Sequence, residues 1–206
     1  MDESGRYNRI ATIEEQDLRW ERLVTEDDLR RLGGVFYDTD SMRHFGLALL
    51  HRHNDIPASH AMVHSYGPDG QHSCQAEKIG MRSIYPCSYH LHEERFVPFE
   101  YSTDPQPVPS PALVDGVRRS LKDRGLENVL AISCISFPRQ FWVEKVQRDG
   151  TGTVARMVTD FTEEHGGAYV NTAWAIQRQD GIYSLQVLRR CEVPKSGGGH
   201  NVVERA

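Results

Sequence analysis

Two Asp-Gly dipeptides in the second half of the chain constrain its fold more than any other feature. Asp149-Gly150 and Asp180-Gly181 each lie between segments rich in β-branched and aromatic residues. The flanking segments are 141–147 and 153–161 for the first dipeptide, and 169–177 and 182–191 for the second. Asp-Gly favours the tight turn that joins antiparallel strands. We therefore expect two β-hairpins, and an antiparallel sheet as the base of the fold.

The rest of the chain adds strands and a few helices. We predict further strands over 45–53, 60–66, 72–82, 84–95 and 129–137, the first two forming a hairpin. Ser110 and Pro111 suit the start of a helix that Gly125 closes. A second helix is expected from Thr25 to Gly33-Gly34, and a helix or a strand follows Thr12. This pattern predicts an α+β fold, mainly antiparallel β, in which a curved sheet or barrel carries one to three packed helices.

Composition narrows the class of protein. The 206 residues suit a single domain over 1–206, with 1–9 and 195–206 expected to be flexible. A net charge of −5 predicts no nucleic-acid partner. The four cysteines form no Cys-x-x-Cys pair, the N-terminal segment is polar and charged, and there is no long apolar run. We therefore expect a cytoplasmic protein with reduced thiols and no membrane association.

The candidate chemistry lies at the end of the strand predicted over 45–53. Alternation along a strand puts Leu49, His51 and His53 on one face. If 54–59 is a simple connection, His60 returns opposite His53, about 5 Å away between Cβ atoms. His51, His53 and His60 then surround a divalent cation such as Zn, Fe or Cu, since imidazole is a common metal ligand.

A second His-x-His pair, His90 and His92, is predicted on a neighbouring strand. We expect His90 to complete the metal shell, with Glu94 or Glu144 as a possible carboxylate ligand. His51, His53 and His92 are the predicted catalytic residues, either through the metal or as general acids and bases. His64 lies on the same face as the predicted site but one pleat further along, near Leu49. Four other histidines belong to no constellation and are expected at the surface: His44, His72, His165 and His200.

The histidine motifs and the strand before them resemble motifs of three known groups of proteins. The pairs resemble in part the His-x-His of cupins, although no Glu follows three or four residues later. His51-Arg52-His53-Asn54-Asp55 is similar to the His-x-His-x-Asp-His of metallo-β-lactamase-type hydrolases, with Ile56 in place of the last His. Residues 45–53 resemble the Phe-Gly-Leu-x-Leu-Leu-His-Arg-His strand of small uncharacterised fungal proteins. This last resemblance implies a fungal origin and, by analogy, a role in secondary metabolism.

The leading hypothesis is an enzyme that transforms a small molecule, a biosynthetic tailoring enzyme of the cyclase, isomerase or oxygenase type. Its histidine cluster binds a divalent metal or acts as general acid and base, and Trp142 and Trp174 are candidates to line its pocket. One alternative is a non-catalytic binding or assembly protein with a structural histidine cluster. Another is a metal-dependent hydrolase. The edges of the C-terminal hairpins would allow a homodimer.

Overall fold

A closed β-barrel with helices packed on it is the architecture of this chain. The computed structural model describes residues 3–67, 72–135, 141–147, 152–158 and 168–193. Within these residues the helices are α1 (Glu3–Tyr7), α2 (Ile13–Leu23), α3 (Glu26–Asp38) and α4 (Pro111–Arg124). The strands are β1 (Phe45–Leu49), β2 (His60–Tyr66), β3 (His72–Lys78), β4 (Tyr85–His92), β5 (Arg95–Ser102), β6 (Leu130–Cys134), β7 (Phe141–Val146), β8 (Gly152–Val158), β9 (Ala168–Gln179) and β10 (Ile182–Val193). None of these helices is both long and apolar enough to cross a membrane.

The barrel order is β1-β6-β4-β5-β2-β3-β8-β7-β10-β9, and β9 pairs with β1 to close it. The pairs β2–β5 and β7–β10 are parallel and the others are antiparallel. Both predicted hairpins are present as β7–β8 and β9–β10. Asp180 and Gly181 have φ of 51° and 80°, as a two-residue hairpin turn requires. The predicted α+β barrel is confirmed.

The predicted hairpin over 45–66 is wrong. β1 ends at Leu49 and pairs with β6 and β9, whereas β2 pairs with β3 and β5. The chain leaves the barrel wall after β1 because its backbone finds other partners. The Leu50 amide donates to the Val129 carbonyl, and the Arg52 amide donates to the Ala11 carbonyl. The connection from β1 to β2 therefore crosses the end of the barrel.

Two further expectations need correction at the N-terminal end. Residues 3–7 form α1 instead of a flexible segment, and Tyr7 is only 1 % exposed. Helix α3 continues through Gly33-Gly34 to Asp38. A Cβ on Gly33 would lie 2.6 Å from Cγ of Tyr183, so this glycine allows close packing on β10 and does not end the helix. The other segment expected to be flexible, 195–206, lies outside the described residues.

The largest apolar core lies outside the barrel wall, between the helices and strands β1, β6, β9 and β10. Leu47 and Leu49 of β1 pack there with Leu121 of α4. Trp20 of α2 stacks on Trp174 with ring centroids 4.4 Å apart. Because this layer buries most of the large aliphatic side chains, the barrel interior can accommodate polar side chains without the loss of a core.

Candidate metal centre in the barrel lumen

Ionisable side chains from opposite sides of the barrel meet in its interior. Nε2 of His53 lies 3.8 Å from Oε1 of Glu100 on β5 and 3.9 Å from Oε2 of Glu144 on β7. Three strands separate β5 from β7 in the barrel order, so these side chains can meet only in the lumen. We call the following set the lumen cluster: His51, His53, His64, His72, Cys74, Glu100, Glu144 and Cys191. No member is more than 5 % exposed.

One group of donors is built on the β2–β3 pair. His64 is the register partner of Cys74, and Nε2 of His64 lies 3.6 Å from Sγ of Cys74. The same Nε2 lies 3.3 Å from Oε2 of Glu100. Ser88, the register partner of Glu100 on β4, donates to that oxygen at 2.9 Å. Ligand atoms around a tetrahedral zinc ion are about 3.4–3.6 Å apart, given bonds of about 2.0–2.3 Å. This group therefore has the spacing of metal ligands.

A second group joins the predicted pair to a cysteine. Nε2 of His51 lies 3.7 Å from Sγ of Cys191, and the rings of His51 and His53 are 4.7 Å apart between centroids. The Cys191 thiol donates to Oε2 of Glu144 at 3.0 Å. The parallel β7–β10 register brings Cys191 and Glu144 side by side. The ligand atoms of His51, His53 and Cys191 lie within 4.8 Å of one another, so this group can also hold a metal ion.

A third group shares His64 with the first. Nδ1 of His64 and Nε2 of His72 are 2.9 Å apart, and Glu144 completes the set within the same 4.8 Å limit. The His64 and His72 rings stack at 5.0 Å. The first and third groups share His64, and the second group reaches Glu144 through Cys191 and His53. The cluster is therefore one continuous array of imidazole, thiol and carboxylate donors. Buried groups of this kind can bind a metal ion.

The carboxylates make the lumen favourable for a cation. Burial by itself raises the pKa of Glu100, but the hydrogen bond with His64 and the charges of His64, His53 and Arg189 overcome it and hold this pKa well below its ordinary value. Burial likewise opposes ionisation of Glu144, yet Arg189 and the neighbouring histidines lower its pKa to about 2. Both carboxylates are therefore ionised, and buried charges of this kind need cationic partners.

The thiols and His72 are neutral in the absence of an ion. Burial, reinforced by Glu100 and Glu144, raises the pKa of Cys74 well above its ordinary value, and burial with Glu144 does the same for Cys191. Burial and the charge of His64 lower the pKa of His72 to about 3. A neutral imidazole keeps the lone pair that ligates a metal, whereas a thiol must first lose its proton to solvent or to a base. Metal binding by this cluster should therefore release protons.

A small cavity adjoins the first group. It has a volume of about 50 Å³, and His64, Ser88, Trp142 and Arg189 are among its lining residues. Tyr66, which is 43 % exposed, stands at its edge. At about 10–15 Å³ for each water, the enclosed space suits a few small atoms. It can therefore receive a small molecule or the end of a larger one.

The structure brings together only part of the predicted site. His51 and His53 join the lumen cluster. His60 begins β2 opposite Lys78, with Nδ1 2.9 Å from the Ala58 carbonyl oxygen, because β1 and β2 are not neighbours. His90 and His92 lie together at another surface, with ring centroids 5.9 Å apart. Among the described residues, no close group of metal ligands includes these three histidines. The ligand roles expected for His60 and His90, and the catalytic role expected for His92, do not follow from this geometry.

Several site residues were missed by the sequence reasoning. His72 was expected at the surface but is 1 % exposed, and Cys74 and Cys191 were treated as ordinary core thiols. The sequence did contain a signal for His72 and Cys74. Pairing 60–66 with 72–78 across the turn at Gly67 to Gly70 places Cys74 opposite His64. Glu100 had no such signal, since β5 was not predicted. Of the two suggested carboxylates, Glu144 is in the cluster and Glu94 pairs with Lys122 at the surface.

The two tryptophans predicted to line the pocket also lie in different parts of the structure. Trp142 lines the cavity, whereas Trp174 belongs to the outer core.

Comparison of the chain with protein-family models, with curated proteins and with solved structures gave no match. The fold and the site therefore define the class by themselves: an α+β barrel whose lumen carries buried ligands suited to a metal ion. The cupin and fungal resemblances stay predictions.

Proposed function

We propose that this protein binds a divalent transition metal in the barrel lumen and is a metal-dependent enzyme acting on a small organic molecule. The observation that carries the proposal is the geometry around His64. Its Nε2 lies 3.3 Å from Oε2 of Glu100 and 3.6 Å from Sγ of Cys74, and its ring borders the cavity. Three protein ligands beside a cavity leave a coordination position for substrate, as catalytic sites do.

The donor types favour zinc, with iron or copper as alternatives. A thiolate is a soft ligand, imidazole suits all three metals, and a carboxylate is common in catalytic sites. His51, His53 and Cys191 form the second candidate ligand set. They are the weaker candidate for catalysis because none of them lines the cavity of about 50 Å³. A metal held there would be further from substrate.

The cavity residues indicate the kind of molecule that would bind. Arg189 is a cation with a side chain that is 19 % exposed; it lines the cavity and lies 3.7 Å from Glu144, so it can hold an acidic group of a substrate. Ser88 and Ser133, with hydroxyl oxygens 3.2 Å apart, can orient a substrate oxygen. Trp142 contacts His72 and helps to exclude water. A bound divalent metal would supply Lewis-acid polarisation of that oxygen. Cyclisation, isomerisation and hydrolysis fall within this chemistry, whereas oxygenation would require dioxygen and a redox-active metal such as iron or copper.

Metal analysis of protein purified without a His tag tests the binding step. We expect about one zinc, iron or copper ion per chain. His64→Ala and Glu100→Gln should each weaken metal affinity at least about tenfold, because a lost ligand contact of about 1.4 kcal/mol or more changes the dissociation constant tenfold. The metal content of the purified variants should fall accordingly. His60→Ala is the matched control and should retain the metal. If His51→Ala/His53→Ala loses the ion while His64→Ala keeps it, the second ligand set is the correct one.

A spectroscopic experiment tests the enzyme hypothesis. Co²⁺ exchanged into the site reports its coordination through visible absorption, and azide is a small anionic probe for an open position. We expect azide to change the spectrum of the wild-type protein, with weaker binding in Arg189→Gln. An unchanged spectrum would indicate a closed, structural metal site. Absence of metal after reconstitution with Zn²⁺ under reducing conditions would leave only a structural role for the histidine cluster.

A further inference from the structure

A groove at the end of the barrel opposite the cavity gathers positive charge. Along β4, Ser88 lines the cavity and His92 lines the groove. Along β6, Ser133 lines the cavity, whereas Val129, just before the strand, lines the groove. The two openings are therefore at opposite ends of the same strands. The groove is a site separate from the lumen cluster, and what it binds does not depend on a metal there.

We call this site the basic groove, defined by Arg6, Arg9, Arg19, Arg52, His90 and His92. The one acidic side chain among its lining residues is Glu15. Oε2 of Glu15 is already used, because it accepts the Thr12 amide hydrogen at 3.2 Å in the cap of α2. With a volume of about 600 Å³, the groove is large enough for a whole small molecule. With four arginines, the groove keeps a net positive charge even though Arg52 pairs with Asp55 and Nε2 of His92 lies 3.8 Å from Oε1 of Glu93.

His90 is a buried polar side chain within this groove. It is 6 % exposed, and its Nε2 has no hydrogen-bond partner among the described residues. Its ring packs edge-on against Phe99 at 5.6 Å. Burial, followed by the charges of His92 and Arg6, lowers the pKa of His90 to about 4. His90 is therefore neutral near pH 7, and its buried Nε2 is a hydrogen-bonding atom that a ligand in the groove would satisfy.

One guanidinium of the groove is held in position by the fold. Nε of Arg52 donates to the Ile10 carbonyl oxygen at 2.7 Å, and its Nη1 pairs with Asp55. The segment that carries Arg52 forms a parallel bridge with Thr12 at the start of α2. Arg9 and Arg19, by contrast, are exposed side chains on either side of that bridge in the sequence. The groove thus combines a cation held by the fold with two arginines whose side chains are exposed to solvent.

We propose that the basic groove binds a small organic phosphate. Guanidinium groups recognise phosphate through paired hydrogen bonds, and several of them suit a ligand with more than one negative charge. The volume exceeds what inorganic phosphate alone would fill, which favours a phosphate ester with an organic body. The same phosphate chemistry can also be presented by a lipid headgroup, so the test separates these sources.

Calorimetric titration of the full chain with fructose 1,6-bisphosphate tests the proposal, with fructose as the uncharged probe. We expect saturable binding of the bisphosphate and none of fructose. Arg9→Gln/Arg19→Gln should weaken binding at least about tenfold, because the variant removes two guanidinium groups that form charge-assisted hydrogen bonds with phosphate. Arg22→Gln removes an exposed arginine of α2 outside the groove and should change the affinity less than about twofold. Both variants alter exposed side chains, and circular dichroism checks that they fold.

Absence of saturable bisphosphate binding would overturn the proposal. An equal loss of affinity in Arg22→Gln would also overturn it, because that loss would indicate only general charge attraction. A third contrary outcome is co-sedimentation with vesicles containing phosphatidic acid in the absence of bisphosphate binding. That result would assign the groove to a lipid headgroup instead of a small molecule.

Discussion

The two His-x-His pairs have the same spacing and end in opposite surroundings. His51 and His53 lie in the lumen beside Cys191, Glu100 and Glu144. His90 and His92 line a groove rich in arginine. The first pair follows β1, whose leucines pack in the outer core. The rings of His51 and His53 lie in the lumen, among anionic side chains. The second pair ends β4 among cations. Spacing alone therefore does not distinguish a metal site from an anion site, because the charges that other strands contribute decide between them.

The largest expected effect on stability concerns one leucine near each histidine pair, Leu49 for the first and Leu91 for the second. Leu49 is 1 % exposed in the outer core, and its carbonyl oxygen lies 2.9 Å from Nδ1 of His51. We expect Leu49→Ala to lower the free energy of unfolding by about 3 kcal/mol. Leu91, between His90 and His92, is 6 % exposed but belongs to none of the described core clusters, so Leu91→Ala should cost about 2 kcal/mol, the low end for a buried leucine. Urea denaturation measures both, and a larger loss for Leu91→Ala would contradict the different anchoring of the pairs.

Metal removal is expected to have the next largest effect. If a metal is present at about 100 times its dissociation constant, its removal lowers stability by about 2.7 kcal/mol. Thermal unfolding with and without a chelator should show this loss in the wild type and in His90→Ala/His92→Ala. The loss should be absent in His64→Ala. An equal chelator effect in His64→Ala would show that the ion binds elsewhere.

A moderate effect is expected from the tyrosine that supports the first pair. The backbone amide of His53 donates to the buried Tyr7 hydroxyl at 3.1 Å. Tyr7→Phe leaves that amide without its acceptor and should cost about 1–3 kcal/mol. Tyr37→Phe, at a ring that is 47 % exposed, should change stability by less than about 0.5 kcal/mol. Chemical denaturation compares the two, and similar small effects would mean that α1 does not fix His53.

The smallest effect concerns pH and the second pair. Burial, His92 and Arg6 lower the pKa of His90 from 6.5 to about 4. As the pH falls below 6.5, the unfolded chain binds a proton at this position before the folded protein does, so stability decreases towards pH 4 and this contribution then levels off. His90→Gln should reduce that decrease, and His44→Gln, at an exposed histidine, should not. Denaturation curves between pH 7 and pH 4 measure the difference, and identical pH profiles would exclude it.

Local signals in the sequence predicted much of the fold. Ser110, Pro111 and Gly125 bound α4 as expected, and the Ser110 hydroxyl accepts the Leu113 amide hydrogen. Strand β5 escaped notice because its turn uses Glu93 and Glu94 at φ of 45° and 69°, without glycine. Likewise, Gly33 has a role in packing that only contact with Tyr183 reveals. Capping and turn chemistry act over a few residues and can be read from the sequence, whereas close packing between distant elements cannot.

By itself, the sequence determined the two C-terminal hairpins, the capped helix and the α+β class with a curved sheet or barrel, and it predicted that His51 and His53 belong to a site. Only the tertiary structure decided their partners. The parallel pairing of β7 with β10 brings Cys191 beside Glu144, and the parallel pairing of β2 with β5 brings Glu100 to His64. Closure of the barrel brings Glu100 to His53. Such pairings depend on which strands become neighbours, a property of the whole chain. The same physical reason explains why two identical histidine spacings lead to a cluster among anions and to a groove among cations.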